Sequence, residues 1–329
     1  MGREGGLVVD YTTLRAVAEC STKAAMGSVL ALQSRAERLP LDAGIGCHAA
    51  LAQWLETGDV DEALQCLRDY YGPIWARASA NGALDERLAE RLAYPVVEKV
   101  LRHWLTTWTR DGFPYTLEAP GMTEIAVTRD LGDGVTYVAL IDAVVRSKVG
   151  GRWFLDWKTT GSLGPWWDQK QEDSGQFTGQ RWAADSLGEV EGVVVGGIGL
   201  TRLNSSHAKC RDHGAPYKEC ALQHLSARVK TVTTTDAEIA AYAETVTHVV
   251  KKYRRIVRQV QSIDDVPAQP MEGRLNGACG FCDYRGWCRM GRPTAARIVD
   301  KAFEERRWDP LAEAQARRVR SKKEGVSNG

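Results

Sequence analysis

The chain of 329 residues has no run of 18 apolar residues, the length that a membrane-crossing helix requires. Its opening, MGREGGLVVD, has no secretory apolar core. The expectation is a soluble, cytoplasmic protein with no membrane partner. An excess of one charge is also missing: Lys and Arg number 43 against 42 Asp and Glu, a formal net charge of +1. Any nucleic-acid contact must therefore come from local basic patches and not from overall basicity. Histidines are few, six in all, and cysteines number eight. Without a secretion signal, those cysteines argue for metal ligands over disulfides. A phosphate-cradling glycine loop is absent too, because Gly196-Gly197-x-Gly199 sits inside an apolar strand pattern and precedes no helix. With 43% apolar residues the chain still has enough to bury a sizeable core.

The most informative stretch runs from Tyr137 to Lys158. Val138 to Val145 is a nearly unbroken apolar run, the pattern of a strand buried on both faces. Gly150-Gly151 marks a hairpin turn, and RWFLDWKT from Arg152 to Thr159 is the returning strand. Alternation puts Trp153, Leu155 and Trp157 on one face and Phe154, Asp156 and Lys158 on the other. Asp142 interrupts the first strand, where a lone buried carboxylate is costly unless a metal or partner charge offsets it. Two carboxylates on neighbouring strands, with an ammonium two residues past the second, suit a divalent cation and phosphodiester hydrolysis. Asp142 and Asp156 offer hard oxygen ligands for Mg²⁺ or Mn²⁺, and Lys158 can orient water or neutralise phosphate charge. The plainer alternative is an Asp–Lys ion pair at a sheet edge.

Residues 11–38 read as helical in two pieces, with Cys20 inside. Gly44 and Gly46 precede an amphipathic helix expected to start near Cys47-His48, where His48 is a cap or a packed histidine. Residues 61–109 are helical, with Leu84, Leu88 and Leu92 four apart and Pro95 opening a further helix. Trp104 and Trp108 fit core packing. Thr123 starts the sheet, and Gly132-Asp133-Gly134 turns the chain into the Asp142 strand. Glu124 fits either a metal shell or a solvated strand end. The stretch after Lys158 reads as a loop, in which Trp166 and Trp167 beside Lys170 either stack bases or pack the loop down. Gln176 and Gln180 share a helical face, and 190–201 is a buried strand. The spacings Cys210-x₂-His213 and Cys220-x₃-His224 suit a structural zinc or, equally, a polar hairpin loop. Thr235-Asp236 caps a long helix reaching about Val260 with a basic end. Finally, Cys279, Cys282 and Cys288 fall within ten residues. They need a fourth ligand, for which Cys20 is the natural candidate, and four thiolates suit a [4Fe–4S] cluster or zinc.

Asp142, then Asp156-Trp157-Lys158, then Gln176 on a following helix resemble the PD-(D/E)XK nuclease superfamily. The similarity is greatest to its RecB-type exonuclease branch, which includes the CRISPR-associated adaptation exonuclease and phage exonucleases. The resemblance covers about residues 11–290. It implies a restriction-endonuclease-like α/β fold: a mixed central sheet flanked by helices, an N-terminal helical region, and an iron–sulfur staple joining the N- and C-terminal parts. It also implies that His48 joins Asp142 and Asp156 as a metal ligand, with Lys158 and Gln176 positioning water and phosphate. Cys20, Cys279, Cys282 and Cys288 would hold a [4Fe–4S] cluster. The branch usually has tyrosine four residues after the glutamine, where this chain has Gln180, and the His207–His224 cluster is outside its pattern. The organisation expected is a helical region over 1–115 supplying Cys20 and His48, a nuclease core over 116–265, a cluster-binding segment over 266–292 and a basic tail over 293–329. The implied activity is metal-dependent DNA exonuclease. The alternative is an inactive DNA-binding or scaffold subunit of a recombination or repair complex.

Overall fold

A computed structural model describes residues 6–35, 38–81, 86–111, 113–200, 209–210, 214–223, 227–290, 299–313 and 315. The chain opens with a short strand, β1 (Leu7–Val9), followed by α1 (Tyr11–Glu19), whose N-terminus is capped by Asp10 accepting from the Thr13 N–H. A one-turn helix α2 (Ser21–Ala24) runs into a π-helical turn at Ala25–Val29, and β2 (Leu32–Ser34) ends this segment. The helical region then comprises α3 (Leu39–Thr57), α4 (Val60–Ala80), α5 (Glu86–Leu92) and α6 (Tyr94–Asp111), with Pro95 in the first turn of α6 as expected.

The sheet strands are β3 (Tyr115–Leu117), β4 (Thr123–Asp130), β5 (Val135–Ser147) and β6 (Arg152–Thr160). After α7 (Pro165–Glu172) and α8 (Gly175–Ala183) come β7 (Gly192–Gly199), α9 (Tyr217–Gln223) and β8 (Ala227–Val232). The long α10 (Asp236–Gln259) carries a capping box between Thr235 and Glu238. It is followed by α11 (Arg285–Arg289) and by β9 (Phe303–Glu305), which pairs with β2.

Seven strands form one mixed sheet, ordered β1-β5-β6-β7-β8, with β3 and β4 paired along the other edge of β5. The β5–β6 hairpin and the β4–β5 hairpin are antiparallel, whereas β1–β5 and β6–β7 are parallel. The apolar residues divide into two cores. One holds Val144, Phe154, Phe177 and the buried side of α10; the other holds Val145, Leu155, Trp157 and the inner faces of α3, α4 and α6. A mixed sheet flanked by helices is the architecture expected for this chain, although β1 brings a strand from within the N-terminal helical region.

Three local expectations need correction. The segment 11–38 is not helical throughout, because Leu32–Ser34 forms β2 and pairs with β9. Gly44 and Gly46 do not precede a helix; they lie inside α3, which begins at Leu39 with Pro40 in its first turn. A Cβ on Gly44 would come within 2.9 Å of Thr159 Oγ1, and one on Gly46 within 3.0 Å of Leu67. Their smallness serves close helix packing, not a helix boundary. The stretch after Lys158 is likewise not all loop, since Pro165 opens α7 at the position where its missing N–H costs nothing. Within that helix Trp167 is buried against Gly197 while Trp166 is 84% exposed.

Candidate active site

Hairpin register brings three carboxylates into one row. Thr123 faces Ala143 and Ile125 faces Ile141, so Glu124 lies across from Asp142. On the other side, Ala143 faces Leu155, so Asp156 is the next residue across from Asp142. All three carboxylates are buried. The β5–β6 ladder stops at Ala143, and β1 covers only Val135–Tyr137 on that edge. Between them, among the described residues, no strand pairs with β5 there, and Asp142 occupies this splayed gap.

The gap is closed by side chains. Asp142 Oδ2 accepts the backbone N–H of Trp157 at 2.7 Å and lies 3.3 Å from His48 Nδ1 on α3. Gln180 on α8 donates to the Leu140 carbonyl at 2.9 Å and to Asp156 Oδ1 at 3.0 Å. Gln176, one turn earlier, donates to the same Asp156 oxygen at 2.8 Å. The other oxygen, Asp156 Oδ2, lies 2.5 Å from the Lys158 ammonium, which also sits 5.7 Å from the Phe177 ring centroid. The indole of Trp157, between the two site residues of β6, is locked edge-on against Trp104 and stacked with Phe113. Gly196 gives it room, because a Cβ there would be 2.2 Å from the ring.

The backbone of Glu124 has φ +49, a left-handed conformation rare for a residue with a side chain. It is held there from α3. Glu56 accepts the Gly121 N–H at 2.9 Å and the Thr123 hydroxyl at 2.7 Å, fixing the turn immediately before Glu124. Thus α3 presents His48 directly and positions Glu124 through Glu56. His48, Glu124 and Asp142 each offer one ligand atom within 4.8 Å of the others, the only such trio of His, Cys, Asp or Glu among the described residues. Like charges facing each other across strands repel, so a buried Glu124–Asp142 pair fits a divalent cation held with one imidazole. Asp156 is outside that trio and is engaged by Lys158, Gln176 and Gln180.

Electrostatics separate the two aspartates. Burial disfavours the Asp142 carboxylate, but His48, Lys158 and the Trp157 N–H outweigh it and bring its pKa down to about 2. For Asp156, burial wins over Lys158, and its pKa is raised. Burial also works against charge on His48, yet Asp142 and Glu124 raise its pKa above the ordinary 6.5. The sign follows for the metal-free protein. The imidazolium–Asp142 pair contributes stability below pH 6.5 and loses it as pH rises through the raised value. Metal ligation needs the neutral imidazole, so Mn²⁺ affinity is expected to climb over a pH range above 6.5. Asp142, ionised throughout that range, adds nothing to the slope. Calorimetric titrations of Mn²⁺ between pH 6 and 8.5 should show the rise in wild type and its loss in His48→Gln.

A second expectation concerns Glu124. Glu124→Gln keeps the backbone geometry and side-chain volume but removes a hard ligand, so Mn²⁺ affinity should fall by at least about tenfold, as ligand-shell changes do. Its melting temperature in chelator should stay close to wild type. Unchanged Mn²⁺ affinity would take Glu124 out of the ligand set.

Elsewhere, Cys20, Cys279, Cys282 and Cys288 are brought to one locality. The Cys288 thiol is pushed up to about 11, first by burial and then by Cys282, Cys20 and Cys279; Cys282 is raised by burial and by Cys20 and Cys279. A Cβ on Gly273 would meet Cys279 Sγ at 3.2 Å and Cys20 Cβ at 3.4 Å, so Gly273 packs closely against both cysteines. Cys210 and Cys220 are both buried, while His213 and His224 lie outside the described residues. Cys47, next to His48, is buried with its pKa pushed up to about 12, an inert packing thiol. In the basic end of α10, Lys252 bonds the Val17 carbonyl and pairs with Glu272, and Arg254 pairs with Asp133.

Set against known proteins, the sequence matches the model of the PD-(D/E)XK nuclease superfamily over residues 10–289. No curated protein matches it. The solved structure of SSO0001 is similar over 88% of this chain and 88% of its own, at 12% identity and a TM-score of 0.33, too loose a likeness to argue from.

Proposed function

Because the chain belongs to the PD-(D/E)XK nuclease superfamily, we propose that it is a metal-dependent deoxyribonuclease of exonuclease type, with a structural [4Fe–4S] cluster. The observation that carries the hydrolytic reading is the His48–Glu124–Asp142 trio beside the Asp156–Lys158 pair. A Mg²⁺ or Mn²⁺ ion bound there supplies a water of lowered pKa and polarises the phosphoryl oxygen. The remaining work falls to side chains. Lys158 presents a fixed cation to the scissile phosphate, where charge grows in the transition state. Asp156 anchors that cation and has its own orientation set by two amides on one oxygen. Gln180, in place of the tyrosine usual in the RecB branch, joins the β5 gap to Asp156 and so keeps the two strands in register. A scaffold protein without activity has no physical reason to keep like charges buried across one hairpin.

The cluster reading is supported by the mutual charge effects among Cys20, Cys279, Cys282 and Cys288 and by the close fit of Gly273.

End-labelled linear DNA and a closed circular plasmid, each with Mn²⁺ or with chelator, test the function. Metal-dependent shortening of the linear substrate with the circle left intact is the expected result. Nicking of the circle would make the protein an endonuclease, and no cleavage of either substrate would overturn the nuclease reading.

A further inference from the structure

Gly175 and Gly179 stand one turn apart on α8, as do Gln176 and Gln180, so the glycine face adjoins the glutamine face about 100° around the helix. A Cβ on Gly175 would rest 3.3 Å from ring carbons of Tyr11 on α1 and Tyr242 on α10. A Cβ on Gly179 has no such room. It would collide with the hydroxyl oxygens of Tyr137 on β5 and of Tyr242, the second at 2.6 Å. Those two hydroxyls are themselves joined, 3.2 Å apart. Burial keeps both protonated, with the pKa of Tyr242 pushed up to about 12.

This wall is rigid. Tyr137 is 1% exposed and lies in β5 between Val9 of β1 and Arg129 of β4. Its ring and that of Tyr242 both pack edge-on against Trp182 of α8, with centroids 5.2 and 5.8 Å away. Sheet and α10 thus hold the hydroxyls in place, and α8 is the element that yields when bulk is added at Gly179. Gln180, the next residue, shows that its own place is imposed. Its Nε2 donates to both the Leu140 carbonyl and Asp156 Oδ1, while its buried Oε1 has no hydrogen-bond partner among the described residues. An amide free to settle would not leave a buried oxygen unpaired. The seating of α8, and not the optimum of this side chain, decides where the amide stands. Gln176 reaches the same Asp156 oxygen from the same helix face.

We propose that Gly179 is a positioning residue: seated on the Tyr137–Tyr242 hydroxyl pair, it sets the depth at which Gln176 and Gln180 hold Asp156 against Lys158. The inference rests on the nuclease reading and deepens it by naming what aligns that site from behind. The test is steady-state cleavage of end-labelled linear DNA with Mn²⁺, beside calorimetric Mn²⁺ titration and melting temperatures. Gly179→Ala should lower kcat on the order of 10²-fold, as about an ångström of misplacement does. KM for DNA and Mn²⁺ affinity should stay within a few-fold of wild type, because His48, Glu124 and Asp142 all lie outside α8. Alanine favours a helix over glycine, so helix propensity cannot account for the loss. Gly175→Ala, the matched change one turn earlier, should keep kcat within a few-fold. Two further variants separate positioning from general disruption. Gly179→Ala/Tyr137→Phe/Tyr242→Phe removes both colliding oxygens and leaves Tyr242 Cζ, at 3.0 Å, as the nearest neighbour. It should recover at least about tenfold of the lost kcat. In Gln176→Met/Gln180→Met no amide remains to misplace, so adding Gly179→Ala should cost no more than about threefold further. Wild-type kcat in Gly179→Ala, no recovery in the triple variant, or the full loss repeated without the glutamines overturns the seat alone. Wild type that cleaves neither linear nor circular DNA overturns the nuclease reading and the seat with it.

Discussion

Lys158→Ala is expected to slow DNA cleavage by roughly 10²- to 10³-fold, the usual cost of removing one preorganised charge from a reacting site. The ammonium is fixed from two sides, by Asp156 Oδ2 at 2.5 Å and by the Phe177 ring, so little reorganisation separates its resting and working positions. Its loss reaches further than one missing cation. Lys158 is the largest influence opposing the effect of burial on Asp156, whose pKa is already raised. Without it Asp156 loses both its ion-pair partner and the influence that most opposes its burial, so the two side chains work as one unit. The two substitutions should therefore fail to add: Asp156→Asn/Lys158→Ala should be no slower than the worse single variant, as expected for residues acting as a unit. Mn²⁺ affinity should stay within a few-fold of wild type in Lys158→Ala, because His48, Glu124 and Asp142 remain. In Asp142→Asn it should collapse along with activity. Folded Lys158→Ala and Asp156→Asn proteins that both cleave within a few-fold of wild type would sink the assignment.

Asp142 also illustrates how an isolated buried carboxylate misleads when read from sequence. Alone in an apolar strand it suggests a destabilising charge whose removal would raise stability without metal. The structure gives it His48 and the Trp157 N–H, and its pKa falls to about 2. Asp142→Asn therefore breaks a paired network in the metal-free protein and should not stabilise it.

Much of the site was legible because β-hairpins have a strict period. Asp133 sits at the centre of a turn whose glycines are plain in the sequence, and Glu124 and Asp142 lie nine residues to either side. That symmetry alone places the two carboxylates opposite each other, so the open choice between metal shell and solvated end for Glu124 had an unused signal. Asp142 and Asp156 are equally spaced about Val149 in the same way. Other features depend on tertiary contact and leave no local trace. Glu56 reads as one more polar residue near a helix end, and only the packing of α3 on β4 turns it toward Gly121 and Thr123. Gln180 looks like a departure from a family pattern until the β5 gap exposes the Leu140 carbonyl it satisfies. In the basic end of α10, Lys252 and Arg254 are drawn into intramolecular bonds, while Lys251, Arg255 and Arg258 of the same run stay exposed. Charge patterns along one helix do not record which charges the rest of the fold will neutralise.

Cys20→Ala should cost the protein its iron, several degrees of melting temperature and the protease resistance of its N-terminal helix. If Cys20, Cys279, Cys282 and Cys288 ligate a cluster, protein purified without oxygen should be brown and carry about four irons per chain. The cross-link would span the 259 residues between Cys20 and Cys279 (279 − 20). Loop closure of that length is worth roughly 5 kcal/mol in the chain-entropy picture. The gain in the folded protein should be smaller, because the two segments already hold each other. Ser21 bonds Glu272 through both its N–H and its hydroxyl, Thr22 bonds the Gln269 and Pro270 carbonyls, and Asn276 donates to the Glu19 carbonyl. Cys20→Ala should therefore stay folded while melting about 5–10 °C lower, a shift in line with a few kcal/mol for a chain of this size. Cys47→Ala and Cys66→Ala, remote in sequence from the four, should keep the iron content of wild type. Replacing Gly273 is the sharper probe. Gly273→Val leaves every thiol in place but drives bulk between Cys279 Sγ and the Cys20 Cβ. It should lower iron content as Cys20→Ala does. Colourless wild-type protein holding one zinc would replace the cluster with a single ion, and full iron in Cys20→Ala would remove Cys20 from the ligand set.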